Sequence, residues 1–312
     1  MRSVRTLGAA LMAGVLALAA GCGDSGDGKD GKDGGAKPIS VQASNGTVTL
    51  PAVPKRIVSL APTHTESLFA IGAGAQVVAA DEYSTYPANA PRTKLSGFTP
   101  NAEAIIKYKP DLVVLSNDQS GIVAALGKVR IPVLLEPAAA TLDEAYDEIL
   151  DLGKATGHED AAAKVTAGMR TAIQKAVAGA AKPAAGERLT YFHELDEQLD
   201  TVTSKTFIGQ VYGLFGLGNV ADAADKTGGG YPKLSGEALL KADPDLVFLA
   251  DTKCCGQSAA AAAERPGWSS LTAVRKGQVV ALDDDVASRW GPRLPQLVQA
   301  IGAGVAKAAN AR

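Results

Sequence analysis

Two histidines follow β-rich runs at matching places in the sequence. His64 comes after the run that starts at Ile57, and His193 comes after the run that starts at Leu189. Imidazoles that face each other across a cleft could approach a metal ion or a metal chelate. The alternative is that both are loop histidines with ordinary hydrogen bonds. A zinc or manganese site needs three or four protein ligands. The chain contains only 3 histidines, so the sequence disfavours a site for a free metal ion.

Aromatic residues also follow the β-rich runs in the first half of the chain. Tyr83 and Tyr86 come after the run that ends at Ala80, and Phe98 lies further on. In open parallel sheets, ligands bind beyond the carboxyl ends of the strands, so we expect these side chains in a binding surface. Packing in the core is the alternative for Phe98.

No nucleophile, base and orienting group occur together at a recognisable spacing. A hydrolase would need Ser59 or Ser116, together with His64 and an aspartate. Neither a Gly-x-Ser-x-Gly elbow nor a His-Glu-x-x-His motif is present. We therefore expect a binding protein with no catalytic residue and no cofactor. An envelope hydrolase is the alternative from another class.

A repeated phrase places the candidate residues in two similar halves. A glutamate, six residues, Pro-Asp and an apolar run occur from Glu103 through Asp111, and again from Glu237 through Asp245. A repeat in register indicates two related lobes. The alternative is that helix-then-strand units of α/β proteins look alike. Both glutamates begin a predicted helix, where a carboxylate also suits the positive end of the helix dipole.

The sequence predicts one long helix over residues 159–181, between the two repeats. Its larger apolar side chains recur every four residues, at Val165, Met169, Ile173 and Val177. Short β-rich runs alternate with helical segments on either side, which is typical of parallel sheets. The predicted fold is therefore α/β, with two Rossmann-like lobes, each a parallel-type sheet flanked by helices, joined by one long α-helix. The predicted boundaries are 39–140 for the N-terminal lobe, 141–183 for the connecting helices and 184–312 for the C-terminal lobe with its terminal helix.

Two segments carry the Thr-x-x-Glu pattern of a capping box, in which each end of the pattern bonds the backbone of the other. Thr63 and Glu66 predict a helix over residues 66–71. Thr141 and Glu144 predict a helix that continues to about residue 155.

The N-terminal residues have the pattern of an export signal. Arg2 and Arg5 precede an apolar run, residues 7–20, that is short for a membrane span. Residues 18–22, Leu-Ala-Ala-Gly-Cys, resemble a bacterial lipobox, which implies a signal peptide over 1–21 and a lipid anchor on Cys22. A plain secretory signal is the alternative. Residues 22–38 are Gly-rich and charged, so we expect a disordered tether. The predicted location is the outer face of the cytoplasmic membrane or the periplasm.

Composition and cysteine content limit the partners further. The chain has 31 basic and 33 acidic residues among 312, and this near-neutral balance predicts no nucleic-acid partner. Cys254 and Cys255 are adjacent, and an exported protein meets an oxidising compartment, so a disulfide between them is plausible. Two free thiols are the alternative. Adjacent cysteines suit metal chelation poorly, so we expect no metal site there.

Three segments carry a resemblance to a known family. Residues 56–74 (RIVSLAPTHTESLFAIGAG), 83–87 (YSTYP) and 97–116 (GFTPNAEAIIKYKPDLVVLS) resemble the helical-backbone class of periplasmic solute-binding proteins. These are the binding subunits of ABC importers for ferric siderophores, haem and vitamin B12. The resemblance covers residues 39 to 308, and the B12-binding members are particularly similar in the first two segments.

The resemblance implies roles for several residues. Tyr231, six residues before Glu237, is expected to stack on the ligand, and Phe98 lies at nearly the same spacing before Glu103. Glu103 and Glu237 are expected to dock on paired arginines of the permease dimer. Arg289 is expected to pair with a ligand carboxylate or phosphate and Trp290 to stack beside it, whereas Arg293 is expected to pair within the protein.

The function implied is that of a lipid-anchored, monomeric receptor that delivers a metal chelate to an ABC permease dimer and its ATPase. Corrinoid is the first expectation for the ligand, ferric siderophore is nearly level with it, and haem is third. A sensory or adhesive ectodomain with the same two lobes is a further alternative.

Overall fold

The computed structural model describes residues 38–180 and 187–310. The predicted signal peptide, Cys22 and the tether as far as residue 37 lie outside these residues, and so do the last residues predicted for the connecting segment. No helix among the described residues is both long enough and apolar enough to cross a membrane.

The N-terminal lobe begins with a two-stranded hairpin and continues as alternating strands and helices. Its elements are β1 (Ile39–Ala43), β2 (Gly46–Leu50), β3 (Ile57–Ser59), α1 (Pro62–Ala70), β4 (Val77–Ala80), α2 (Ala102–Ile106), β5 (Leu112–Leu115), α3 (Ile122–Lys128) and β6 (Val133–Leu135). Strands β3 to β6 form a parallel sheet in the order β4-β3-β5-β6. The strands are rich in β-branched residues and buried, as expected for a parallel sheet covered by helices.

Two helices lead into the C-terminal lobe, which repeats the same plan. The elements are α4 (Leu142–Thr156), α5 (Glu159–Gly179), β7 (Thr190–Glu194), α6 (Phe207–Gly213), β8 (Gly218–Asn219), α7 (Gly236–Ala242), β9 (Leu246–Leu249), α8 (Thr252–Cys255), α9 (Ala259–Ala263), α10 (Thr272–Arg275), β10 (Val279–Ala281), α11 (Asp284–Ala287) and α12 (Leu294–Asn310). Its parallel sheet has the order β10-β9-β7-β8. The predicted fold class is confirmed: two parallel sheets flanked by helices, with a long helix between them.

The long helix α5 has the predicted apolar face. Met169 and Ile173 are buried, and Val165 and Val177 pack at the edge of the same hydrophobic core. That core is continuous from the first sheet, across α4, α5 and α12, to the second sheet. Because the helices share one core with both lobes, the lobes are held by packing as well as by the chain.

The repeated Pro-Asp pair has the same structural task in both lobes. The carboxylate of Asp111 accepts hydrogen bonds from the backbone N–H groups of Lys55 and Arg56, both at 2.8 Å, just before β3. Asp245 accepts one from the N–H of Thr190, also at 2.8 Å, at the start of β7. In each lobe the aspartate therefore ties the beginning of one strand to that of its neighbour. This equivalence supports a structural repeat over a chance likeness.

Neither predicted capping box forms in full. The hydroxyl of Thr141 caps α4 by accepting from the N–H of Glu144 at 3.2 Å, as predicted, but the carboxylate of Glu144 accepts from the N–H of Ala140 at 2.7 Å and not from that of Thr141. Helix α1, however, begins at Pro62 and has no side-chain cap. Proline has no N–H to satisfy at the first helical position, so Thr63 is not needed as a cap. Glu66 lies inside the helix and is buried, and its carboxylate is bound by arginines of the other lobe.

Candidate ligand-binding cleft

A cavity of about 310 Å³ lies between the two lobes. Its N-terminal-lobe wall is the segment 138–140 after β6, and its other walls are the segments 205–208, 228–231 and 287–290 of the C-terminal lobe. The side-chain amide of Gln210 donates to the carbonyl oxygen of Ala140 at 2.5 Å and connects the two walls. The cleft therefore lies near the carboxyl ends of strands, where the α/β architecture places ligands.

Tyr231 stands at the end of a glycine loop that has a defined shape. The carboxylate of Asp225 accepts hydrogen bonds from the N–H groups of Gly229 at 3.1 Å and Gly230 at 2.9 Å. These bonds, that of Gly230 foremost, lower the pKa of Asp225. A Cβ on Gly230 would lie 2.8 Å from a methyl carbon of Thr206, so the loop passes too close for a larger residue. With its backbone held in this way, Tyr231 is 61% exposed at the cleft.

Trp290 lines the cleft with its indole nitrogen anchored. The Nε1–H group donates to Oε2 of Glu148, on α4, at 2.6 Å. Glu148 is buried, and the same oxygen lies 3.3 Å from Nε2 of His64. The His64 and Trp290 rings meet edge to face with centroids 6.3 Å apart. His64 thus contacts the carboxylate of Glu148, which holds Trp290 in the cleft wall. Reasoning from sequence missed Glu148, because its partners are distant along the chain.

The two histidines do not face each other across the cleft, so that prediction is wrong. Both are fully buried. His193, on β7, has its Nδ1 atom 2.8 Å from the hydroxyl of Tyr212 on α6. Burial lowers the pKa of His193 to about 3, so the imidazole is neutral. The strand turns His193 into the core between its sheet and α6, away from any ligand.

The charge of Arg289 is already neutralised within the protein. Its guanidinium donates to Glu66 at 2.6 Å and to Asp285 at 2.7 Å. Arg293 binds the same Glu66 carboxylate at 2.8 and 2.7 Å, which agrees with the internal pairing expected for it. Arg289 therefore pairs with Glu66 and Asp285 within the protein, and not with a ligand anion as expected from the sequence. Its guanidinium joins the C-terminal lobe to α1 of the N-terminal lobe.

An exposed aromatic group lies on the N-terminal lobe beside this ion pair. Tyr83, Tyr86 and Phe98 are 51%, 47% and 68% exposed. The rings of Tyr83 and Phe98 meet edge to face at 5.6 Å, and the Tyr86 ring lies 4.4 Å from the guanidinium carbon of Arg293. The carbonyl of Tyr83 accepts from Arg289 at 3.2 Å, which places this group next to the cleft segment 287–290. Phe98 is thus a surface residue and not part of the core.

Glu103 and Glu237 occupy equivalent positions at the starts of α2 and α7. The helices are capped by Asn101 and Ser235, which accept from backbone N–H groups at 2.9 and 3.1 Å. Both glutamate side chains are exposed, and neither forms an ion pair with another described residue. Each lobe therefore presents one unpaired carboxylate at a capped helix start.

Cys254 and Cys255 are joined by a disulfide in the short helix α8. They are exposed, and the carboxylate of Asp284 accepts hydrogen bonds from the N–H groups of Thr252 and Cys254, both at 2.8 Å. Neither cysteine lines the cleft cavity. Within the described residues, three or more His, Cys, Asp or Glu side chains are nowhere arranged to hold a metal ion.

Two of the groups that a hydrolase would need, Ser59 and His64, are engaged elsewhere. The hydroxyl of Thr65 donates to Ser59 at 2.8 Å, whereas His64 lies beside Glu148. Ser59 and His64 therefore form no nucleophile and base pair, and the hydrolase alternative is not favoured.

Known proteins are similar to this chain in sequence and in fold. The family model described as "Periplasmic binding protein" matches residues 57–286. An ABC transporter substrate-binding lipoprotein of Bacillus subtilis, YvrC, is 32% identical over 84% of this chain and 83% of its own length. A cobalamin-binding protein of Halobacterium salinarum is 31% identical over 81% of this chain and 69% of its own.

Solved structures agree with this relationship. The vitamin B12 binding protein BtuF of Vibrio cholerae superposes with a TM-score of 0.67 at 27% identity, over 82% of this chain and 98% of that one. The haem-binding protein BhuT superposes with a TM-score of 0.72 at 24% identity, over 83% of this chain and 100% of that one, which shows the shared fold. The family model spans most of the two-lobed region, and so the chain belongs to the periplasmic binding protein family.

Proposed function

We propose that the protein is the solute receptor of an ABC importer, and that its ligand is a metal chelate of the corrinoid type. The observation that carries the choice of ligand is the chemistry of the cleft. Trp290 and Tyr231 present aromatic surface, the remaining walls are largely alanine and glycine, and Arg289 is already paired. Such a wall suits a broad, weakly charged ring system that binds by stacking and apolar contact.

A highly anionic ferric siderophore would favour unpaired cationic groups on the cleft wall. Lys205 lines the cavity, but both arginines next to the cleft are bound to acidic side chains. A haem ligand is less favoured, because both imidazoles are buried and do not face each other across the cleft, where they could have approached the haem iron. The named ligands of the Halobacterium and Vibrio relatives also favour a corrinoid.

The volume of the cleft indicates how such a ligand would lie. A cavity of about 310 Å³ is too small to enclose a whole corrinoid with its side chains. Part of the ring would enter between Tyr231 and Trp290, and the rest would lie against the exposed aromatic group at Tyr83, Tyr86 and Phe98. Small movements of the lobes would then complete the enclosure.

Delivery to the importer would use the two exposed glutamates, one from each lobe. A symmetric permease dimer offers two equivalent surfaces, and charge pairing steers and aligns such a complex while leaving it releasable.

A lipid on Cys22 would keep the receptor at the membrane. Cys22→Ser should release the protein from the membrane fraction if the anchor exists, and unchanged membrane retention would exclude it.

The ligand assignment is tested by equilibrium dialysis of the full chain against cyanocobalamin, a ferric tris-catecholate siderophore and haemin. We expect saturable one-to-one binding of cyanocobalamin, and binding of the other two at least about 100-fold weaker, a difference of about 2.7 kcal/mol. Tightest binding of the siderophore or of haemin would overturn the corrinoid assignment but keep the receptor function. Binding of none of these chelates would count against both.

A further inference from the structure

Among the described residues that line the cleft, Lys205 is the one cation without a partner. It is exposed, and its side chain forms no ion pair or hydrogen bond with another described residue. Arg289 is the other cation of the lining, and Glu66 and Asp285 neutralise it. The described lining residues include no carboxylate. The cleft therefore holds one positive charge that the protein itself does not compensate.

The hydroxyl groups of the lining have no proton left for a ligand. The hydroxyl of Thr206 donates to the carbonyl oxygen of Thr203 at 2.9 Å, and that of Ser288 donates to the carbonyl oxygen of Asp284 at 2.7 Å. An anionic ligand group would therefore find its charged donor on Lys205. A lysine ammonium is a compact point charge with three N–H donors on a flexible stem, which suits a phosphate oxygen.

The backbone of Lys205 is held on both sides. The carboxylate of Asp222 accepts hydrogen bonds from the N–H of Ser204 at 2.7 Å and from its hydroxyl at 2.8 Å. On the other side, the hydroxyl of Thr206 accepts from the N–H of Gly209 at 3.0 Å and caps α6. Because the main chain is already ordered, only the lysine side chain has to be immobilised when a ligand binds.

The segment of Lys205 is also joined to the glycine loop that carries Tyr231. The N–H of Thr203 donates to the carbonyl oxygen of Gly230 at 2.8 Å. The close approach of Gly230 to the methyl carbon of Thr206 adds a packing contact between the same two segments. Lys205 and Tyr231 therefore present a charge and a stacking surface from one wall of the cleft.

We propose that Lys205 determines ligand specificity by binding the phosphodiester of a complete corrinoid, an inference that rests on the proposed function. The nucleotide loop of such a ligand carries one phosphodiester and so one negative charge, whereas the amide side chains of the corrin ring are neutral. One unpaired ammonium matches one such group. A hydrogen bond between two charged partners is stronger than a neutral one, so a corrinoid without the nucleotide loop would bind more weakly.

Calorimetric titration of the full chain with cyanocobalamin and with dicyanocobinamide tests this role. Dicyanocobinamide keeps the corrin ring and lacks the nucleotide loop with its phosphodiester. We expect Lys205→Gln to weaken cyanocobalamin binding about 10-fold, or about 1.4 kcal/mol, and to change dicyanocobinamide binding by less than about 2-fold. Lys205→Arg keeps a positive charge and should recover most of the affinity. An increase from about 0.05 to about 0.5 M KCl should weaken cyanocobalamin binding in the parent chain more than in Lys205→Gln.

The matched control is Lys226→Gln. It removes the same charge from an exposed lysine of the same lobe that lies outside the cavity lining, so the affinity for both corrinoids should equal that of the parent chain. Because both lysines are exposed, the melting temperatures of the variants without ligand should match that of the parent chain. A loss of affinity in Lys205→Gln alone would then report a contact with the ligand.

The outcomes separate this inference from the proposed function. If Lys205→Gln bound cyanocobalamin as tightly as the parent chain, the role of Lys205 would be wrong and the corrinoid receptor would stand. Equal weakening of both corrinoids by Lys205→Gln, or the same loss in Lys226→Gln, would also overturn the phosphodiester contact. Binding of neither corrinoid to the parent chain would overturn the proposed ligand and this inference together.

Discussion

The indole nitrogen of Trp290 lies 2.6 Å from the Oε2 atom of Glu148, a residue 142 positions earlier in the chain. This hydrogen bond orients the tryptophan at the cleft from a helix that belongs to the connection between the lobes. A bond to a charged acceptor contributes about 1.5–3 kcal/mol, so it can fix the ring. The cleft surface therefore depends on a residue that does not line the cavity itself.

Replacing Glu148 should weaken ligand binding without removing a ligand contact. We expect Glu148→Ala to raise the dissociation constant for cyanocobalamin about 10-fold or more, because the indole loses its anchor. Glu148→Gln keeps an acceptor oxygen and should recover most of the affinity. Calorimetric titration of both variants provides the check. Equal loss in the Ala and Gln variants would show that the hydrogen bond does not position Trp290.

The buried ion pair between the lobes should be important for stability. Glu66 neutralises Arg289 and Arg293, whose side chains are only 10% and 13% exposed. Glu66→Ala would leave two buried cations without it, and we expect a loss of about 3–5 kcal/mol in the free energy of unfolding, measured by urea denaturation. The exposed pair of Asp143 and Arg170 is the matched control, and Asp143→Ala should cost less than about 1 kcal/mol. Similar losses in the two variants would contradict this difference.

The exposed glutamates should affect transport and leave ligand binding intact. We expect Glu103→Ala with Glu237→Ala to abolish most cobalamin uptake by cells that depend on this receptor, with an unchanged dissociation constant for the ligand. The control pair is Glu159→Ala with Glu264→Ala, which removes two exposed carboxylates elsewhere. Weaker ligand binding in the first pair would place those residues in the cleft. Normal uptake would remove their docking role.

Acid should destabilise the protein through His193. Its pKa is about 3 when folded and about 6.5 when unfolded. Between these values the unfolded chain binds one more proton, so the contribution to stability is complete above the unfolded pKa and is lost as the pH falls, by about 1.4 kcal/mol per unit. From pH 7 to pH 5 the stability of the parent chain should therefore fall by about 2 kcal/mol relative to His193→Gln.

Urea denaturation at several pH values measures this difference. Tyr212→Phe keeps the buried imidazole and should keep the loss in acid, which makes it the control. If the difference between the parent chain and His193→Gln did not change with pH, the neutral buried histidine would be excluded.

Local and repeated patterns predicted the architecture well. The β-rich runs, the apolar face of α5 and the repeated Pro-Asp phrase depend on neighbouring residues, so a single sequence contains them. The long-range partners could not be predicted in this way. Glu66 resembled the end of a capping box because Thr63 stands three residues before it, yet Arg289 competes for its carboxylate from 223 positions away.

The histidines show the same limit. His64 and His193 were placed correctly near the ends of β-rich runs, but pattern alone does not say whether a side chain at a strand end points to the cleft or to the core. The direction of each side chain depends on a distant partner, which is Glu148 for His64 and Tyr212 for His193. The exposure of the aromatic residues was easier to predict from the sequence. A glycine loop precedes Tyr231 and a turn surrounds Tyr83, and both leave a large ring with little to pack on.

Titration of cyanocobalamin into the full chain and into the double variant Tyr231→Ala with Trp290→Ala tests the proposed receptor function most directly. We predict one-to-one binding to the parent chain and a loss of at least about 100-fold in the double variant, since buried aromatic anchors carry most of the energy in such sites. Absence of binding to the parent chain, or equally tight binding to the double variant, would contradict a cobalamin cleft between these two residues.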